Sequence, residues 1–285
     1  MVYHPLRSGN TPLPHDGKFE PVRWQDFVRW EPPPSEIILG DYNSKLLVTP
    51  SKGILYGRGK SYKTMLGMRL ATSVSTGSSW LGFSTLSGGC NVLYLNAELP
   101  GELIHERVVQ MNTGLQLGEN NLWIWNKHDF RLDNDLGFQL LADFVDKHKI
   151  KLIVIDPLYK IVSHDLREES TVRSVTNNID RLITDYRVSV FLVAHPRKAS
   201  SEQEHSDLTE ESLYGSGIWL WWADTVIRAD RGRSELDNRK EIKVSFDMTR
   251  LASVDIEPVR YQLRDDDLQF VSDIIIFDRS KAKSG

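Results

Sequence analysis

The run Gly57-Arg58-Gly59-Lys60-Ser61-Tyr62-Lys63-Thr64 sets two glycines, two lysines and two aliphatic hydroxyls between an apolar stretch and an amphipathic one. A loop of that kind, joining a strand to a helix, can wrap its backbone N–H groups around phosphate oxygens, and the helix amino end adds its dipole. In this pattern Lys63 reaches the β- and γ-phosphates and the Thr64 hydroxyl binds Mg²⁺, with Met65 opening the helix behind them. Tyr62 stands where the usual pattern has its last glycine. Taking Gly59-Lys60-Ser61 as the Gly-Lys-Ser core instead puts Ile54 at the first glycine, a worse fit. Lys63 and Thr64 therefore take the main roles, and Lys60 is a second phosphate-side lysine or a solvated one. The expected ligands are ATP and Mg²⁺.

A phosphate loop needs partners, and three other apolar runs end in polar residues. Lys151-Leu152-Ile153-Val154-Ile155-Asp156 reads as a strand whose terminal carboxylate can hold Mg²⁺. Pro157 follows, so no catalytic carboxylate stands beside Asp156. Val92-Leu93-Tyr94-Leu95-Asn96 leads into Ala97-Glu98, and Glu98 can orient or deprotonate a water facing the γ-phosphate. Its alternative role is to satisfy the dipole of a following helix. Val190-Phe191-Leu192-Val193-Ala194 ends in His195, placed to touch the γ-phosphate. Active sites on parallel sheets gather at the carboxyl ends of strands, so the four runs reinforce one another.

The elements that must position these residues alternate. Strands are expected at 53–56, 91–96, 122–125, 152–155 and 188–194, and helices at 62–75, 103–111, 136–148 and 171–186. Continuous apolar strands separated by amphipathic helices point to an α/β fold with a mainly parallel central sheet covered on both faces. From residue 223 the runs 223–228, 241–246, 259–263 and 267–271 alternate as antiparallel strands added at the C-terminal end of that sheet. Residues 1–44 read as an arm and linker: Trp24, Phe27 and Trp30 recur at helical spacing, and Pro32-Pro33-Pro34 favours an extended chain. Residues 45–275 form the expected core domain and 276–285 a tail.

Composition narrows the class. With 285 residues and a formal net charge of −4, no global basic field for nucleic acid exists, and polyanion contacts must come from local loops. One cysteine, Cys90, excludes disulfide frameworks and Cys-based metal clusters. No apolar run is long enough to span a bilayer and no signal-peptide pattern opens the chain, which fits a reducing cytoplasm. The histidines are scattered without metal-ligand spacing.

The stretch Gly57 to Thr64, Asn96-Ala97-Glu98, Val154-Ile155-Asp156-Pro157, and Ala194-His195 followed by Gly215-Ser216-Gly217 resemble RecA-like P-loop ATPases. The chain looks most like the RepA-type hexameric replicative helicases of plasmids and phages. The resemblance implies a hexameric ring with ATP between subunits, single-stranded DNA as partner, and an arginine from the next subunit at the γ-phosphate. Arg228 matches the position expected in RepA-type proteins, and Arg250 the finger region of DnaB-type helicases. Either could instead be a surface ion-pair partner. Where the family has a DNA-contacting loop, residues 198–212 carry Glu202, Glu204, Asp207, Glu210 and Glu211 against Lys198, a charge balance that repels phosphates. The loop after Asp156 is better equipped, with Lys160, His164, Arg167 and Arg173. Trp219, Trp221 and Trp222 fit a core or subunit interface better than a base-stacking platform. Two other functions share the nucleotide site: a filament-forming recombination or annealing ATPase, and a regulatory ATP-binding protein with weak hydrolysis.

Overall fold

The computed structural model describes residues 23–31, 35–113, 121–195, 218–232 and 240–272. The chain divides into two compact units, residues 1–36 and 37–285. In the first, α1 (Trp24–Arg29) realises the helical spacing of the aromatics, with the Phe27 and Trp30 rings 5.5 Å apart.

The second unit opens with a short antiparallel pair, β1 (Ile37–Leu39) and β2 (Leu47–Val48), for which the sequence offered no pattern. Strand and helix then alternate through β3 (Lys52–Tyr56), α2 (Lys63–Thr76), β4 (Val92–Asn96), α3 (Gly101–Thr113), β5 (Leu122–Asn126), α4 (Asp135–His148), β6 (Leu152–Asp156), α5 (Glu169–Tyr186) and β7 (Ser189–Ala194). After α6 (Ile218–Trp222) come β8 (Thr225–Arg231), β9 (Glu241–Thr249), β10 (Val259–Leu263) and β11 (Phe270–Ser272). Nine strands form one sheet in the order β11-β10-β9-β8-β3-β7-β6-β4-β5. The six from β8 to β5 run parallel, and β9 to β11 continue antiparallel.

Strands β4, β6 and β7 are buried along their whole length, the outcome expected of continuous apolar runs sandwiched between helices. Period-two alternation splits their side chains between two cores. Ile54, Ile153 and Leu192 meet Leu141 and Val145 of α4 and Val175 and Ile179 of α5. On the other face Leu55, Val154 and Val193 meet Leu66, Leu70 and Val74 of α2. Helix α2 lies close to the sheet because Gly67 leaves room: a Cβ there would sit 3.0 Å from Val193 Cγ2. Among the described residues no helix is long and apolar enough to cross a membrane.

Two expectations are corrected. The added antiparallel strands begin one strand later than the sequence suggested, because β8 runs parallel to β3 from Gly53↔Thr225 to Tyr56↔Arg228. Helix α6 stands just ahead of β8, so the chain enters β8 at the same end as β3, and the reversal falls at β9. The last strand starts at Phe270 rather than Asp267. Asp267 closes the preceding turn, its buried carboxylate accepting from Arg264 Nε at 3.1 Å and the Gln269 N–H at 3.0 Å. The tryptophan run splits: Trp219 and Trp222 enter the core, whereas Trp221 is 80% exposed.

Phe191, fully buried on β7, packs over Gly53, where a Cβ would come within 2.5 Å of its ring. Phe191→Ala should therefore cost about 3–5 kcal/mol in urea unfolding, from lost burial and the cavity left behind. A change near zero would mean that this face of the sheet does not carry the core.

Candidate active site

Because β3, β7, β6 and β4 are parallel neighbours, the residues at their carboxyl ends share one edge of the sheet. In order across that edge lie the loop beginning at Gly57, then His195, Asp156 and the turn carrying Glu98.

The loop is pressed against β8. A Cβ on Gly57 would lie 2.1 Å from the Ala229 carbonyl oxygen and 2.8 Å from Ser61 Oγ, so only glycine fits. Gly59 has open space around it. Tyr62 adopts the left-handed conformation (φ 59°, ψ 21°) immediately before α2. This is the backbone that favours glycine at the end of the usual pattern, and a non-glycine residue there costs roughly 1 kcal/mol. Its half-buried side chain packs against the core on the α2 face. Lys60 is exposed and also left-handed, at φ 65°. No acidic residue occupies the first turn of α2 and no side chain caps it at Tyr62, so the positive end of the helix is not already neutralised.

Lys63, the first residue of α2, is only 5% exposed. Its Nζ donates to the carbonyls of Gly57 (2.6 Å) and Arg58 (2.7 Å) and to Ser61 Oγ (3.4 Å). Burial pulls its pKa from 10.5 down to about 8, while Asp156 and Glu98 act in the opposite sense. The ammonium thus sits inside the loop that would hold phosphates, bound to carbonyls that phosphate oxygens can replace.

Asp156, 3% exposed, accepts a hydrogen bond from the Thr64 hydroxyl and one from Tyr94 Oη at 2.7 Å. Burial pushes its pKa up, and both hydrogen bonds oppose the rise. Burial also raises the Tyr94 phenol, which keeps it a donor. Thr64 and Asp156 are hard oxygen donors side by side, a fit for Mg²⁺, which takes one or two protein ligands and completes its shell with phosphate and water. Among the described residues no group of three or more His, Cys, Asp or Glu could cage a metal alone.

Glu98 is exposed, and its Oε1 accepts Tyr159 Oη at 2.5 Å. It lies three residues ahead of α3. Asn96 shapes the turn that carries it: its Oδ1 accepts from the Leu99 N–H at 3.1 Å, and its Nδ2 donates to Leu99 O at 2.6 Å and to Asn126. His195 meets the Tyr159 ring edge-on, with centroids 5.5 Å apart. Burial first and the Lys63 charge second lower its pKa to about 4, so it is neutral at pH 7 and can donate to a phosphate without carrying charge.

The two candidate arginines lie apart. Arg228, opposite Tyr56 on β8, binds Asp247 (3.0 Å) and Asp230 (3.1 Å), and Tyr56 Oη binds the same Asp247 at 2.6 Å. Arg250 lies near the amino end of β3, at the opposite edge of the sheet from Gly57. Its N–H donates to Asp224 O and its Nη1 to Trp221 O, both at 2.9 Å. The acidic loop, residues 198–212, and Gly215, Ser216 and Gly217 lie outside the described residues. Of the cations after Asp156, Arg167 pairs with Asp165 and Arg173 with Glu169 at 2.5 Å. Lys160 and His164 complete that set. Tyr94 and Tyr159 were not singled out from the sequence, and Asn96 was named only as part of the Asn96-Ala97-Glu98 motif. Tyr94 and Asn96 read there as parts of a strand, and Tyr159 as an ordinary loop residue.

Comparison with known proteins bears on the family and the fold. The AAA domain family matches residues 14–201, more than half of the chain. The ATPase domain of G40P superposes with a TM-score of 0.60 at 12% identity, over 79% of this chain and 85% of that one. The KaiC-like protein PH0186 from the hyperthermophilic archaeon Pyrococcus horikoshii OT3 gives a TM-score of 0.55 at 14% identity, over 81% and 93%. At such identities the likeness is one of fold, and it is the RecA-like P-loop fold. No curated protein matches the chain in sequence.

Only the protonated Lys63 attracts phosphate, so ATP affinity should begin to fall once the pH passes about 8. Titration of a fluorescent ATP analogue across that range reads it directly. Affinity that holds up to the ordinary lysine value of 10.5 would place the phosphates away from Lys63.

Proposed function

The chain belongs to the AAA domain family, and on that premise we propose that it is an ATP-hydrolysing motor of the replicative-helicase kind, acting on single-stranded DNA as a hexameric ring. The observation that carries this reading is the convergence of Lys63, the Thr64–Asp156 pair, His195 and Glu98 on one edge of a parallel sheet.

Each group has a task that its environment suits. The loop amides and Lys63 would take the β- and γ-phosphates, and Thr64 and Asp156 would hold the Mg²⁺ that neutralises their charge. Glu98 orients and deprotonates the attacking water. Neutral His195 touches the γ-phosphate and passes its loss to the chain that follows β7. Charge developing at the γ-phosphate still needs a cation, and in a ring it comes from the adjacent subunit. Arg228 and Arg250 are the candidates. Arg250 is exposed and would have to leave the Trp221 carbonyl, and Arg228 would have to leave Asp247 and Asp230.

Contact with DNA falls to the segment after Asp156, through Lys160, His164, Arg167 and Arg173. The sequence resemblance to RepA-type helicases supports the choice of single-stranded DNA and the origin in a plasmid or phage replication system. A regulatory ATP-binding protein is the second reading, favoured by one observation: Lys63 and Glu98 are both engaged within the chain, at 2.6 and 2.5 Å.

ATP turnover should rise on adding single-stranded DNA, disappear in Lys63→Ala, and fall by about 10²-fold or more in Glu98→Gln. Nucleotide binding with negligible turnover that ignores DNA would favour the regulatory reading. Glu98→Gln with normal turnover would remove Glu98 from the catalytic role.

A further inference from the structure

Tyr94 brings a hydroxyl to the site from inside the core. It is buried on β4, on the face that packs against α2. Parallel pairing sets Tyr94 opposite Val154 and Asn96 opposite Asp156, so Tyr94 and Asp156 share a face of the sheet, two residues apart in register. That offset is about 6.6 Å along the strands, and strand side chains lean along the chain. The phenol spans it and donates from Oη to Asp156 Oδ2 at 2.7 Å. Tyr94 lines an apolar pocket together with Met68 and Ala71 of α2 and Val108 and Met111 of α3. Water is thus kept from competing for the phenolic proton, and a hydrogen bond to a carboxylate is strong in such surroundings.

The bond decides how Asp156 can meet a cation. A carboxylate offers one oxygen or both. With Oδ2 tied to Tyr94 from the core side, Asp156 presents a single free oxygen, Oδ1, to the phosphate loop. Mg²⁺ is small, keeps several of its waters and is content with one carboxylate oxygen. Ca²⁺ gathers roughly six to eight oxygens at longer distances and often takes both from one carboxylate.

We propose that Tyr94 is a positioning residue that sets the metal specificity of the site: by engaging Oδ2 it confines Asp156 to one-oxygen contact, so that nucleotide is held with Mg²⁺ in preference to Ca²⁺. The inference rests on Asp156 being the carboxylate that holds the metal. Tyr94 itself touches neither metal nor nucleotide and acts through Asp156 alone.

Tyr94→Phe keeps the ring and removes the hydroxyl. Equilibrium binding of a fluorescent ATP analogue should be measured for wild type, Tyr94→Phe and Asp156→Asn, each in EDTA, in Mg²⁺ and in Ca²⁺. The wild type should bind about tenfold more tightly with Mg²⁺ than with Ca²⁺, the scale of one hydrogen bond to a charged group, and Tyr94→Phe should bring the two ions close to parity. Affinity in EDTA should be the same in both proteins, which shows the phosphate loop to be intact. A loosened core would weaken binding with both ions equally and leave their ratio unchanged, and that result overturns the proposal. So does a wild type that treats the ions alike, a comparison that needs no variant. An unchanged preference in Tyr94→Phe, with Asp156→Asn indifferent to either ion, would remove Tyr94 and leave Asp156 as the metal carboxylate. Asp156→Asn that answers Mg²⁺ as the wild type does would show that the metal assignment itself had failed, and the role of Tyr94 with it.

Discussion

A buried ammonium ion organises this molecule. Lys63 has left water at the mouth of a helix, and such a charge persists only where hydrogen bonds replace its hydration. Here the carbonyls of Gly57 and Arg58 do so at 2.6 and 2.7 Å. That demand fixes the loop: its carbonyls turn inward, Gly57 is driven against the Ala229 carbonyl, and the chain enters α2 through a left-handed Tyr62. The same desolvation that lowers the Lys63 pKa gives it a strong electrostatic reward for meeting an anion.

The sheet supplies the rest by geometry. Parallel strands present their last residues along one edge, so an apolar interior can end in a row of polar groups without burying unpaired ones. Asp156 shows how this is managed. It is buried, yet Tyr94 and Thr64 both donate to it, and it keeps its place beside Lys63. The Ala97 N–H donates to the Asp156 carbonyl at 2.9 Å, so the turn carrying Glu98 and the strand carrying Asp156 move as one piece.

Much of this was legible in the chain. The strands that build the edge are continuous apolar runs whose final polar residue is conspicuous, and Asp156, His195 and the loop at Gly57 follow from that pattern. The helices between them announce themselves by periodicity. What was not legible is directional or depends on contact. Nothing in residues 223–228 says whether that strand meets β3 parallel or antiparallel; the partner decides, and it lies 172 positions earlier, where the Lys52 N–H donates to the Asp224 carboxylate. Tyr94 alternates with its neighbours like any strand aromatic, and only the fold puts its hydroxyl on Asp156. Tyr159 reads as an unremarked loop residue until its hydroxyl is found on Glu98. The two arginines are a similar case: the resemblance implied the same role for either, whereas the fold ties Arg228 to a pair of carboxylates and sends Arg250 to the far edge of the sheet.

The most direct test of the whole account is a crystal structure of the chain with Mg²⁺ and a non-hydrolysable ATP analogue. The account predicts that Lys63 Nζ exchanges the Gly57 and Arg58 carbonyls for phosphate oxygens, with Mg²⁺ beside Thr64 and Asp156. Phosphates held by Lys60 instead, or nucleotide bound away from the carboxyl edge of the sheet, would contradict it.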